Sequence, residues 1–280
     1  MIVFLNGQFV PEEQAVVSVF DRAFLYGDGL FETMRVINGK PFRWWEHMER
    51  LRKGGDFLGI KIPFSCKSLE KFAAELIAQN KMPDALMRLT VSRGVGLRGY
   101  SPKGADKPTL VMTLHPAPGT PDSGLARWKL VTASLRLPAG DALAQYKTAN
   151  KLAQVLARAE ADAAGADEAL LTNTDGHVVE GASSNLFWIE GKTVCTPPLT
   201  DGILAGVTRA VTFEICQSLS LPLAERTVTP EQLRRADGVF LTLSSIGVVE
   251  ASALDGTPLG TSPVAAKIHR AYEKLLLNSH

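Results

Sequence analysis

The chain has 280 residues, 45% of them hydrophobic and 21% charged, with a formal net charge of +1. That length and balance exclude a disordered or fibrous protein and suggest two medium-sized domains, and so small a net charge offers no field that would draw nucleic acid or a membrane surface. Cys66, Cys195 and Cys216 include no CxxC pair, and His47, His115, His177, His269 and His280 show no HxxxH or HExxH spacing, so neither a disulfide framework nor a metal site is expected.

No apolar run approaches the ~20 residues of a membrane span. The segment MIVFLNGQFV lacks a basic leader region, and a cytoplasmic location is expected.

In chain order, 2–5 and 9–10 flank an Asn6-Gly7 turn as a hairpin, and 30–37 turns at Asn38-Gly39 into 41–43. Trp45, Met48 and Leu51 have helical spacing, which predicts a helix over 45–58 stopped by Gly59. A second helix over 69–79 takes Ser68 as its N-cap. Strands at 86–92 and 109–115 enclose a loop rich in glycine and arginine. HPAPGTPDSG then reads as an interdomain linker. The resulting division is 1–115, a linker at 116–126, and 127–280.

Beyond the linker, a strand at 128–133 precedes an alanine-rich helix over 150–164 stopped by Gly165. Short strands follow at 168–172, 178–180, 185–189 and 193–195. A helix at 208–219, a strand at 223–228, a short helix after Thr229-Pro230, a strand at 238–243 and a closing helix at 263–277 complete the pattern.

Three features could combine into chemistry. A lysine whose amine loses its proton near neutral pH can condense with an aldehyde cofactor, and Lys147 and Lys151 both stand where an irregular segment meets an apolar helix. Glu180 ends a short strand before small, turn-prone residues, where its carboxylate could keep a pyridine nitrogen protonated. Val207 and Thr208 open a helix after Gly206, where backbone amides and the threonine hydroxyl suit a phosphate. Arg50 could clamp the same phosphate, and Ser244 and Ser245 could add hydroxyl donors.

Five ordered segments carry a resemblance: FDRAFLYGDGLFETMRV (20–36), EHMERL (46–51), YKTANKLAQVL (146–156), EGASSNLFW (180–188) and TPPLTDGILAGVTR (196–209). Together they resemble the class IV pyridoxal-phosphate enzymes of fold type IV, which include branched-chain and D-amino-acid aminotransferases, (R)-selective amine transaminases and 4-amino-4-deoxychorismate lyase. The resemblance implies an α+β fold with a small N-terminal α/β domain and a larger C-terminal pseudo-barrel domain. It also implies pyridoxal 5'-phosphate as cofactor, a small-molecule amine as substrate, and a homodimer. By position, Lys147 rather than Lys151 matches the Schiff-base lysine, and Glu180 the carboxylate that partners the pyridine nitrogen. Arg50, Val207 and Thr208 match the phosphate ligands, and Ser244 and Ser245 the small polar residues near phosphate and substrate.

Within that family, Leu152 stands where branched-chain enzymes usually carry tyrosine. Arg98 and Tyr100 occupy the positions of the arginine and histidine with which D-amino-acid enzymes trap a carboxylate, and Phe31 replaces their tyrosine. The loop SRGVGLRGY looks like that of aminodeoxychorismate lyases, whose substrates are dicarboxylates, so Arg88, Arg93 and Arg98 are all candidate charge partners. Glu32 does not discriminate. The lyase reading has the substrate amine displace Lys147, whose freed amine removes the ring proton so that pyruvate leaves and p-aminobenzoate forms. A transaminase acting on D-amino acids, branched-chain amino acids or (R)-amines with a keto-acid acceptor is the alternative.

Overall fold

A computed structural model describes residues 1–119 and 124–278. The chain divides into two compact units, and the division is not a single cut: Tyr146–Lys151 is gathered with Met1–Pro118, whereas Gly119–Gln145 goes with the chain from Leu152 onward. The expected linker at 116–126 lies partly outside the described residues.

The first unit contains β1 (Ile2–Leu5), β2 (Gln8–Pro11), α1 (Arg22–Tyr26), β3 (Gly29–Ile37), β4 (Lys40–Pro41), α2 (Trp44–Leu58), α3 (Cys66–Asn80), β5 (Ala85–Ser92) and β6 (Thr109–Pro116). The strands form one antiparallel sheet in the order β2-β1-β6-β5-β3-β4. Alternation fixes its faces. Leu30, Met34, Met87, Leu89, Met112 and Leu114 point to one side, where they form a core with Met48 and Leu51 of α2 and with Leu69, Ala73 and Leu76 of α3. The other face carries Phe31, Thr33, Arg88, Thr90 and Thr113.

Gly59, in a left-handed conformation, caps α2 as expected. The N-cap of α3 is Ser65, whose hydroxyl accepts from the Ser68 backbone, rather than Ser68 itself, so the helix begins a turn earlier than expected. The sequence reading missed α1, a single turn capped by the buried Asp21.

The second unit contains β7 (Arg127–Leu137), α4 (Leu152–Ala163), β8 (Glu168–Asn173), β9 (Val178–Gly181), β10 (Asn185–Glu190), β11 (Thr193–Thr196), α5 (Val207–Ser218), β12 (Leu223–Glu225), α6 (Pro230–Leu233), β13 (Gly238–Leu243), β14 (Gly247–Leu254), β15 (Thr257–Pro258) and α7 (Pro263–Leu277). Its sheet runs β12-β11-β10-β13-β14-β7-β8-β9, and β9 also pairs back onto β10 through Glu180 and Asn185. Strands β10, β13, β14, β7, β8 and β9 therefore close on themselves as a barrel, with β11 and β12 branching from it.

Leu130, Leu170, Val178, Leu186, Trp188, Val239, Leu241 and Ala251 share one core of this unit. Ala157 and Ala161 of α4 pack with Ala133, Ala169, Leu171 and Val179 in another. The alanines that gave α4 its helical signal thus also let it approach the strands closely. It starts two residues later than expected because Lys147–Ala149 is committed to pairing with β3. Strand β14, which the sequence reading passed over, is nearly all buried and supplies the parallel contact with β7 that completes the ring. No helix among the described residues is long and apolar enough to cross a membrane.

Candidate active site

In the first unit, β4 covers only the far end of β3, leaving the near end of that edge for other pairing. The stretch around Lys147 takes it: Phe31 N–H donates to Lys147 C=O at 3.0 Å, Ala149 N–H donates to Gly29 C=O at 2.8 Å, and Leu30 bridges Thr148. Tyr146 stacks on Phe57 with ring centres 4.3 Å apart. Fixed in this way, the half-buried Lys147 side chain brings Nζ to 4.6 Å from the Phe31 ring centroid. The guanidinium of Arg88 lies 3.9 Å from the same centroid.

Glu32 points to the opposite face of β3, toward α2. There the fully buried carboxylate accepts Nε and Nη2 of Arg50 at 2.8 and 2.5 Å and lies 2.7 Å from Nδ1 of the buried His47. Burial alone would raise the Glu32 pKa, but the charge and hydrogen bonds of Arg50, with the His47 bond, hold it down to about 2. Burial depresses the His47 pKa against the pull of Glu32, and Arg50 and Lys147 push it the same way. The surroundings thus disfavour the charged form of His47, and Arg50 is anchored by a bidentate pair.

The second unit gathers its polar residues at the barrel seam. Glu180 on β9, Asn185 on β10 and Thr242 on β13 form one row across three strands. The Glu180 carboxylate accepts the Leu204 N–H at 3.0 Å, while Asn185 Nδ2 donates to Leu204 C=O at 2.9 Å. The two peptide groups that flank Leu204 are thereby each held by one side chain, and the start of α5 follows three residues later. Val207 and Thr208 open that helix after Gly206, whose N-cap position carries no side-chain cap bond. The first-turn N–H groups thus have no intrahelical partner and, among the described residues, no cap from the Gly206 position. A Cβ on Gly206 would lie 1.9 Å from Asn185 Oδ1, so any larger residue here would displace the Asn185 side chain from its bond to Leu204.

Thr242 Oγ1 is buried without a hydrogen-bond partner among the described residues, and Ser244 and Ser245 form the half-buried turn that follows. Behind the Glu180–Asn185 turn, the fully buried Glu168 accepts Ser183 Oγ at 2.6 Å and Ser184 Oγ at 3.3 Å. Sequence reasoning missed Asn185, Glu168 and Thr242 as parts of this region. The run Ser183-Ser184-Asn185 was the available signal.

The glycine-rich loop after β5 is tied down at its base. Arg93 donates Nε and Nη2 to Asp28 at 2.8 and 3.0 Å and Nη2 to Leu58 C=O at 2.8 Å. The buried Arg22 donates to the carbonyls of Gly99, Tyr100 and Ser101 and to Asp28. These two arginines keep the Asp28 carboxyl below its ordinary range even though burial opposes it. Arg93 is thus part of the frame, whereas Arg98 is exposed on the loop and Tyr100 is 86% exposed with its ring edge against Tyr26. The structure brings Phe31, Lys147 and Arg88 together within the first unit, and Glu180, Val207 and Thr208 together within the second.

Known proteins resemble this chain over most of its length. The family model described as amino-transferase class IV matches residues 29–254. A putative branched-chain-amino-acid aminotransferase of Methanocaldococcus jannaschii is 36% identical over 98% of this chain and 95% of its own length. D-alanine aminotransferase of Staphylococcus aureus is 30% identical over 98% and 97%. The crystal structure of 4-amino-4-deoxychorismate lyase from Pseudomonas aeruginosa superposes with a TM-score of 0.86, at 35% identity over 98% of this chain and 99% of that one.

Proposed function

The chain belongs to the class IV aminotransferase family, a pyridoxal-phosphate-dependent enzyme of fold type IV, and from that premise we propose that it is a 4-amino-4-deoxychorismate lyase. The observation that carries this reading is the loop SRGVGLRGY, together with 35% identity to the Pseudomonas lyase over nearly the full length of both chains.

The residues present fit the cofactor. The uncapped α5 start suits its phosphate, and the partnerless Thr242 hydroxyl is a buried polar atom that a ligand would satisfy. In this proposal Val207 and Thr208 hold the phosphate together with Arg50, Ser244 and Ser245. Glu180 holds a proton on the pyridine nitrogen, its carboxylate oriented by the Leu204 amide. Pyridoxal 5'-phosphate, when bound, supplies an aldehyde and an electron-withdrawing ring.

Lys147 Nζ would hold the aldehyde in the resting enzyme and, once freed by the substrate amine, would remove the ring proton of the substrate. The carbon–oxygen bond to the enolpyruvyl group would then break, that group would take up a proton and depart as pyruvate, and Lys147 Nζ would take back the aldehyde carbon as p-aminobenzoate leaves. Phe31 packs beside the Lys147 amine, its ring centroid 4.6 Å from Nζ.

A transaminase is the second reading, favoured by the 36% identity to the Methanocaldococcus aminotransferase. It uses the same Lys147 to move a proton from the substrate carbon to the cofactor. The deciding experiment supplies enzymatically generated aminodeoxychorismate and measures p-aminobenzoate beside a keto-acid-dependent amine assay. p-Aminobenzoate formation without a keto acid supports the lyase. Amine transfer that requires a keto acid, without p-aminobenzoate, supports the alternative.

We also propose a homodimer. Val16, Val19, Phe20, Phe24 and Leu97 are exposed apolar residues of one unit, as are Leu152, Val155 and Leu156 of the other. Light scattering should give twice the chain mass.

A further inference from the structure

Away from Lys147, the first unit holds a cavity of about 590 Å³ between α2, the segment 60–64 and the start of α3. A space of that size suits a small molecule rather than a few waters. Its apolar wall is Met48, Leu51, Ile60, Ile62, Phe64 and Leu69. The segment is held close against α2: a Cβ on Gly55 would lie 2.8 Å from the Ile60 carbonyl oxygen, so glycine there lets the wall form.

On α2 the lining residues Trp45, Met48, Arg52 and Asp56 recur every three or four positions, which puts the cavity on the side of the helix opposite to His47 and Arg50. The sheet stands between it and the Lys147 amine. Helices α2 and α3 pack on the Leu30 and Met34 face, whereas Phe31, beside that amine, belongs to the other.

Charge is uneven around the rim. Arg52 pairs with Asp56 at 2.8 Å and Glu49 with Lys53 at 2.9 Å, so these four cancel. Lys61 is exposed on the wall and has no ion pair among the described residues. Ser65 and Cys66, which also line the cavity, are the N-cap and first residue of α3, so the positive end of a 15-residue helix opens there. Against the Cys66 thiol lies the indole N–H of Trp44, a side chain only 4% exposed, which has no hydrogen-bond partner among the described residues. Burial pushes that thiol up, against the pull of the indole and with the help of Glu70, which does not line the cavity; the wall therefore carries no thiolate.

We propose that this cavity binds an apolar monocarboxylate, its hydrocarbon against the side chains of α2 and α3 and its carboxylate meeting Lys61 and the start of α3. A neutral hydrocarbon leaves the positive rim unmet, and a cation meets it with like charge. The site is independent of what is bound at Lys147.

The test is equilibrium dialysis of holoenzyme against radiolabelled decanoate, with 1-decanol and decyltrimethylammonium as competitors. A saturable site is expected with a Kd between about 10 μM and 1 mM, the range for a ligand of this size. Decanol should compete roughly 5- to 10-fold more weakly than unlabelled decanoate, and the cation more weakly still. Lys61→Glu should weaken decanoate by roughly 5- to 10-fold, and Cys66→Phe, which fills the cavity, by at least about 10-fold, both with the cofactor absorbance band intact. Lys61 is exposed, so its variant decides the matter even where Cys66→Phe does not fold. No saturable binding below about 1 mM, equal competition by decanol, or an unchanged Kd in Lys61→Glu or in folded Cys66→Phe would overturn the assignment.

Discussion

The two units build polar sites from different materials. Around β3 the first unit uses charged side chains that need one another: Glu32 is fully buried and ionised only because Arg50 and His47 bind it. At the barrel seam the second unit uses the main chain: the peptide groups on either side of Leu204, held by Glu180 and Asn185, lead into a helix start that offers N–H groups. The lesson is that the first site is electrostatic and couples to pH and global stability, whereas the second is steric and couples to how closely backbone segments approach.

The sharpest break of that comparison is Arg50→Met, which leaves the Glu32 carboxylate buried with only His47. It should cost about 3–5 kcal/mol in urea unfolding. The double variant Glu32→Gln/Arg50→Met should lose much less, because no uncompensated charge remains. Equal losses in both would mean that packing, not charge, holds α2 to β3.

Acidification tests the same cluster without mutation. Below about 6.5, the ordinary value for His47, the unfolded chain takes up a proton that the native His47 resists, so stability begins to fall. Below 4.5 Glu32 adds to the loss, which should approach roughly 3 kcal/mol for this group as the pH nears 2. Urea midpoints measured from pH 7 downward should show both segments, and in the Glu32→Gln/Arg50→Met variant the lower one should shrink to what Asp28 and the other carboxylates contribute.

At the other site the effect is smaller and of another kind. Gly206→Ala forces a methyl group onto Asn185 and should cost about 1–3 kcal/mol. Because the strain falls where α5 begins, pyridoxal 5'-phosphate titration should show weakened cofactor retention with no change in pH dependence. A pH-dependent defect here would erase the distinction between the two units.

Much of this was legible in the chain. Glycine punctuation and apolar spacing placed α2, α5 and α7, and the ordered motifs singled out Lys147, Glu180 and Thr208. What could not be read was long-range pairing. That Lys147–Ala149 forms an edge to β3 delays α4 and attaches this stretch to a unit from which it is remote in sequence. Local propensity is blind to such a contact. The roles of the arginines were hidden for a similar reason: Arg93 and Arg88 lie five residues apart in one segment, yet one meets Asp28 and the other only an aromatic ring.

The most direct measurement is borohydride reduction of the yellow holoenzyme followed by peptide mapping of the cofactor adduct. The label should fall on Lys147, with the absorbance band lost in proportion. A label on Lys151 or any other lysine, or a protein that cannot be coloured by added pyridoxal 5'-phosphate, would contradict the account.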